Sequence, residues 1–147
     1  MSLVMNKKAG FNYELLEKLQ AGIELLGFEV KAVRNSQGSL EGAYVIVRGG
    51  EVFLVNADIP PYQSGNTPAS YSSRRNRKLL LTKREIHDLS KIDKKKGLTI
   101  VPISMYNKGR NIKVEIAVGK GKKQFDKRES IKTRETERDM RRQMKGH

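Results

Sequence analysis

"FNYELLEKLQAGIELLGFEVKAVR", Phe11 to Arg34, is the stretch on which the fold turns. Its glutamates, leucines and lysines favour helix on propensity alone. Gly22 and Gly27 interrupt such a helix, and Gly27 can open a new element over Phe28 to Arg34. Across the segment the pattern is compatible with helix and with strand.

The flanking sequence is easier to read. In "GAYVIVRGGEVFLVNADI" two β-rich runs, Ala43–Val47 and Glu51–Val55, surround Gly49-Gly50, which supplies the positive φ angles of a tight hairpin. A second hairpin is predicted where "LTIVPISMY" and "NIKVEIAV" bracket Asn107-Lys108-Gly109. Along its second arm Ile112, Val114, Ile116 and Val118 alternate with Lys113, Glu115 and Ala117, which predicts one buried and one wet face. Pro102 marks an edge position or a bulge. Between the hairpins "TKREIHDLSK" reads as a short helix: Thr82 and Glu85 have capping-box spacing, and Ile86 and Leu89 form one apolar stripe. "RRNRKLLL" is a basic run entering a short strand, and Ile59 to Ser73, rich in Pro, Gly, Ser and Asn, reads as a long exposed loop. Several short antiparallel strands hide their edges best in a small closed barrel. The expected fold is therefore mainly β, with one to three short helices.

The chain has 147 residues, 30 Lys+Arg against 16 Asp+Glu, and a formal net charge of +14. Such an excess points to a polyanion, nucleic acid first. It is spread along the chain: from Lys120 onward there are 11 Lys+Arg against 5 Asp+Glu, and before it 19 against 11. The N-terminus "MSLVMNKKAG" is too short and too soon charged to be a secretory signal, and Met1 to Val4 reads as an extension ahead of a start at Met5. No apolar run has the length of a transmembrane helix, and the last residues lack the leucine and aromatic face of an interfacial one. With no cysteine, thiolate catalysis and zinc knuckles are excluded, and a cytoplasmic location is expected.

Catalysis finds little support. His87 and the terminal His147 are the two histidines, with no nucleophile motif beside either. "GKGKK" lacks the spacing of a phosphate loop. No metal or cofactor is expected, and the chain reads as a binding protein rather than an enzyme. Three basic clusters, "RRNRK" (Arg74–Lys78), "KKK" (Lys94–Lys96) and "KGKK" (Lys120–Lys123), suit a nucleic-acid surface. Tyr62, Tyr71 and Phe125 lie near them and are candidates to stack on bases, with Tyr62 and Tyr71 equally suited to anchor the loop. After Phe125 the apolar residues Ile131, Met140 and Met144 are too sparse to pack a stripe, so residues 124–147 are expected to be a basic tail, disordered alone and helical on a partner.

Four stretches together resemble the SsrA-binding protein family of bacterial trans-translation. They are "GFEVKAVR" (Gly27–Arg34), "RNRKLLLTKREI" (Arg75–Ile86), "KGLTIVPISMY" (Lys96–Tyr106) and "KVEIAVGKGKKQFDKRESIK" (Lys113–Lys132). The resemblance runs from about Asn6 to Lys145. It implies an oligonucleotide-binding-like barrel of about six strands over residues 1–123, with about three short helices, and places Tyr13–Leu25 in a strand and Phe28–Arg34 in a helix. It also implies a function. The barrel binds the transfer-RNA-like part of transfer-messenger RNA and, with elongation factor Tu, delivers it to a stalled ribosome. There the tail senses the empty message channel of the small subunit, beside the decoding centre. The alternative is a generic barrel-fold RNA- or ribosome-binding protein with no tagging role. A monomer is expected.

The resemblance assigns Asn6, Gln20 and Leu80 to the RNA. Lys7, Lys31, Arg34, Arg77, Lys78, Lys122 and Lys123 are the basic candidates of the same or adjoining motifs. To the ribosome it assigns Phe125, Asp126, Lys127, Arg128, Ile131, Lys132, Met144 and Lys145. Two residues depart from the family pattern. Gln20 stands where glutamate is common, keeping an acceptor and losing a charge. Phe125 stands where Tyr or His is usual, keeping a ring for stacking and losing a polar contact.

Overall fold

The computed structural model describes residues 2–62, 65 and 67–122. In chain order it contains β1 (Ser2–Met5), α1 (Ala9–Asn12), β2 (Tyr13–Ile23), α2 (Gly27–Arg34), β3 (Tyr44–Arg48), β4 (Glu51–Val55), β5 (Arg77–Leu80), α3 (Lys83–Asp93), β6 (Leu98–Lys108) and β7 (Asn111–Gly121). All strand pairs are antiparallel, and the seven strands form one sheet in the order β1-β6-β3-β4-β5-β2-β7. The pairing of β6 with β7 returns the order to one of its own members. The mainly-β expectation with three helices holds, with seven strands rather than about six. The added one is β1, which pairs with Tyr106, Met105 and Ser104 and sends Val4 into the core. Residues 2–5 are thus part of the fold and not a mere extension.

Propensity misleads between Tyr13 and Ile23. The segment is the strand the family resemblance implies, paired with β7 from Tyr13↔Gly121 to Gly22↔Lys113. A bulge between Leu15 and Glu17 explains why no alternation is visible. Before it, Tyr13 and Leu15 face Gly121 and Gly119; after it, Lys18, Gln20 and Gly22 face Ala117, Glu115 and Lys113. Cross-strand partners share a face, so Tyr13 and Leu15 lie on the same side as Lys18 and Gln20 across the bulge, while the exposed residues include Glu14 and Leu16 before Glu17 and Lys18 and Gln20 after it. Gly119 makes room for Tyr13 here: a Cβ on it would lie 3.0 Å from Cβ of Tyr13.

Both hairpins form. Gly49 and Gly50 take φ of +60° and +76° between β3 and β4, the geometry of a two-residue type I′ turn. In the second hairpin Asn107 and Lys108 extend β6, and the turn is Gly109-Arg110, one step later than the sequence suggests. Pro102 begins a bulge that ends at Ser104. In β7 the alternation holds up to Glu115 and then fails, because Ala117 is buried along with Ile116 and Val118. Helix α3 starts on Thr82, whose hydroxyl accepts the Glu85 N–H while the Glu85 carboxylate accepts the Thr82 N–H. Leu89 seats that helix in a core built around Leu40, Leu54, Ile59, Leu79, Ile100 and Met105.

Candidate nucleic-acid interface

The interior of the molecule holds a charged cluster that decides what its arginines can do. Glu29, on α2, is fully buried. Its Oε1 accepts the N–H of Leu26 at 2.7 Å and a bond from Arg75 Nη2. Its Oε2 accepts Arg77 Nε at 2.9 Å, Arg75 Nε at 3.2 Å and the Tyr71 hydroxyl at 2.8 Å. Arg77 is 0% exposed. Besides Glu29 it donates to the carbonyls of Ala57, Arg75 and Ser73 and to the Tyr71 hydroxyl, so every N–H of its guanidinium has a partner. Burial pushes the Glu29 carboxyl up, but the bonds from Arg75, Leu26 and Arg77 and the charge of Arg77 outweigh that, and it lies below the usual carboxylate range. Burial, with the Glu29 bond and charge, pushes the Tyr71 hydroxyl up.

Two expectations change as a result. Arg77 is not an RNA-facing residue: it shares the inward face of β5 with Leu79, and its donors are spent inside. The stretch from Ile59 to Ser73 is tied down at both ends, by the buried Ile59 and by Tyr71, whose ring meets Phe28 edge-on at a centroid distance of 4.7 Å. Tyr71 is therefore a loop anchor.

The outward face of β5 and β2 carries a different chemistry. Lys78 and Leu80 alternate outward, and Leu80 lies opposite Gly22, two residues from Gln20 on the same face. A Cβ on Gly22 would stand 3.1 Å from that of Leu80, so glycine lets Leu80 lie close against the sheet. Leu80, the last residue of β5, remains 49% exposed. Lys78 reaches Glu51 at 3.8 Å, and Gln20 accepts a bond from Lys108 at 3.3 Å. Alongside, Arg34 at the end of α2 donates to the carbonyl of Arg110 at 2.8 Å, fastening the helix to the β6–β7 turn. Lys31, one turn earlier, is exposed and pairs with no described residue. Gln20, Lys31, Arg34, Lys78 and Leu80 thus fall on one side of the molecule.

Asn6, Lys7 and Lys122 gather elsewhere. Asn6 Nδ2 donates to the Pro102 carbonyl at 2.9 Å and its backbone N–H to that of Ile103, so it sits on the β6 bulge. Lys7 beside it is exposed. Lys122 donates through Nζ to the Gly10 carbonyl at 2.9 Å and through its backbone N–H to that of Asn12. This second group adjoins α1 at the Tyr13 end of β2, some seven residues from Gln20, or about 23 Å along the strand. Lys123, Phe125, Asp126, Lys127, Arg128, Ile131, Lys132, Met144 and Lys145 lie outside the described residues, as does the whole of 124–147. Among the described residues no three His, Cys, Asp or Glu side chains come together as a metal site, and no helix is long and apolar enough to cross a membrane. His87 is exposed on α3.

An antiparallel β protein that is strongly basic, with amide, apolar and cationic side chains on its outer faces, has the make-up of an RNA-binding protein. The chain belongs to the SmpB protein family, whose model matches residues 3–146. It is 46% identical over 142 residues to the SsrA-binding protein of Nostoc sp., covering 97% of this chain and 92% of that one. It is 47% identical over 136 residues to the SsrA-binding protein of Mesoplasma florum, covering 92% and 91%. A solved chain from "tmRNA-SmpB: a journey to the center of the bacterial ribosome" superposes with a TM-score of 0.71 at 36% identity, covering 89% of this chain and 95% of that one.

Proposed function

We propose that this protein is an RNA-binding adaptor of trans-translation, which binds transfer-messenger RNA and brings it to stalled ribosomes. The observation that carries this reading is the family match over residues 3–146, together with relatives of about 46% identity that bear the name SsrA-binding protein. The similar solved chain comes from work on transfer-messenger RNA and the ribosome, which supports both partners.

Several finer points belong to the same reading. The return of strand order through β6 and β7 supports a small barrel of the oligonucleotide-binding kind, with β1 added to it. Gln20, Leu80, Lys78, Lys31 and Arg34 would contact the RNA on one side, and Asn6, Lys7, Lys122 and Lys123 on the other. Residues 124–147 would act on the ribosome. Lys127 and Arg128 would meet phosphate-rich walls, Phe125 would stack on a base at the decoding centre, and Asp126, Ile131, Lys132, Met144 and Lys145 would follow into the message channel. A monomeric cytoplasmic protein working with elongation factor Tu completes the picture.

Equilibrium binding to transfer-messenger RNA and to ordinary transfer RNA across a salt series tests it. A preference for transfer-messenger RNA that persists at physiological salt is the expected result. Equal affinities that collapse together would mean that charge alone drives binding and would reject the adaptor reading.

A further inference from the structure

Next to Leu80 the surface opens into a cavity of about 320 Å³. Its apolar lining comes from Ile23, Leu25, Val30 and Ile112, with Leu80 as one wall. Arg110, Asn111 and Lys113, from the turn and first residues of β7, form the polar part. The cavity size is at the small end of ligand sites, and its mixed lining is of the usual kind. Neither the Arg110 guanidinium nor the Lys113 ammonium has a hydrogen bond or ion pair with any described residue, whereas Arg75 is paired with Glu29 and Arg77 is fully engaged. The Arg34 bond to the Arg110 carbonyl holds the turn in place beside the cavity. Two cations in the lining of an apolar hollow, unpaired among the described residues, call for a ligand that is flat and apolar at one end and anionic at the other.

We infer that this cavity takes one unstacked nucleobase of the bound RNA, with Arg110 and Lys113 on the phosphates that flank it. The inference rests on the RNA-binding reading and adds to it a base pocket and two cations. RNA is read mainly through bases splayed out of their helix, which need an apolar surface for the ring and cations for the bent backbone. Leu80 and Val30 supply the surface. The Asn111 amide, both donor and acceptor, lies within the lining to meet a base edge.

The full chain is titrated with transfer-messenger RNA at several salt concentrations, as wild type, as Val30→Phe and as Arg110→Ala with Lys113→Ala. Filling the pocket by Val30→Phe should weaken binding about tenfold at every salt concentration, since one stacked base contributes that order of affinity. Removing the two cations should weaken binding and flatten the salt slope by about 1.5. Wild-type affinity for Val30→Phe, with loss only in the cation variant, would mean a charged patch without a base pocket and would overturn the inference. A second measurement avoids any folding defect of Val30→Phe. Adenosine and guanosine monophosphates are titrated into wild-type protein, and amide NMR shifts are followed. Shifts at Leu25, Val30 and Ile112 that inorganic phosphate does not reproduce are expected; shifts confined to Arg110 and Lys113 would overturn the pocket. If wild-type protein failed to bind transfer-messenger RNA, the adaptor reading would fall, and the monophosphate titration would decide the pocket by itself.

Discussion

Taking the charge from Glu29 would leave Arg77 buried without its counterion, and a buried pair broken on one side costs about 3–5 kcal/mol. Glu29→Gln should therefore lower the unfolding free energy by that order at neutral pH, measured by urea denaturation. The pH dependence has a definite sign. Glu29 titrates lower in the folded protein than its usual value of 4.5, so its contribution is complete above that value and disappears as pH falls through the folded pKa. The gap between wild type and Glu29→Gln should narrow below about pH 4.5; a gap constant down to pH 3 would rule out the charged cluster as its source. This cluster was only half legible in the sequence. Period-two alternation in Arg77-Lys78-Leu79-Leu80 does put Arg77 with the inward Leu79, but a run of basic residues reads first as surface. Nothing near Glu29 announces that its partners lie more than forty residues on, at Tyr71, Arg75 and Arg77.

Among the elements, the hairpins and α3 were legible because their signals are local: a glycine pair with positive φ, an alternating arm, a cap and its glutamate three residues later. Removing the cap tests that reading. Thr82→Ala should cost about 1 kcal/mol in thermal unfolding, since Thr82 accepts the Glu85 N–H at the start of the helix. β2 was illegible because a bulge breaks its register between Leu15 and Glu17, and because the partner that makes it a strand is β7, at the far end of the body. Propensity, a local quantity, yields there to tertiary pairing. Gly22→Val should show that this strand also shapes the interface. Its side chain would press on Leu80 and lower RNA affinity several-fold, a change absent in a Gly22→Val, Leu80→Ala double variant relative to Leu80→Ala alone.

For the whole molecule, the excess of positive charge and the family motifs made a nucleic-acid partner legible, whereas the separation of the candidate contacts into two groups needed the fold. Asn6 and Leu80 are distant in sequence, and only β2 sets how far apart their groups stand. Deleting Ile131 to His147 should leave affinity for transfer-messenger RNA nearly intact and abolish tagging on stalled ribosomes; loss of most RNA affinity would reject the division of labour between body and tail. The β2–β7 pairing also has a consequence during synthesis. Tyr13 has to wait for Gly121, about 100 residues later, and at 5–20 residues per second that is about 5–20 s. Throughout that interval the nascent chain exposes a leucine-bearing strand without its mate. The charges at Glu14, Glu17 and Lys18, set among Leu15, Leu16 and Leu19, sit where charges disfavour pairing between exposed hydrophobic strands.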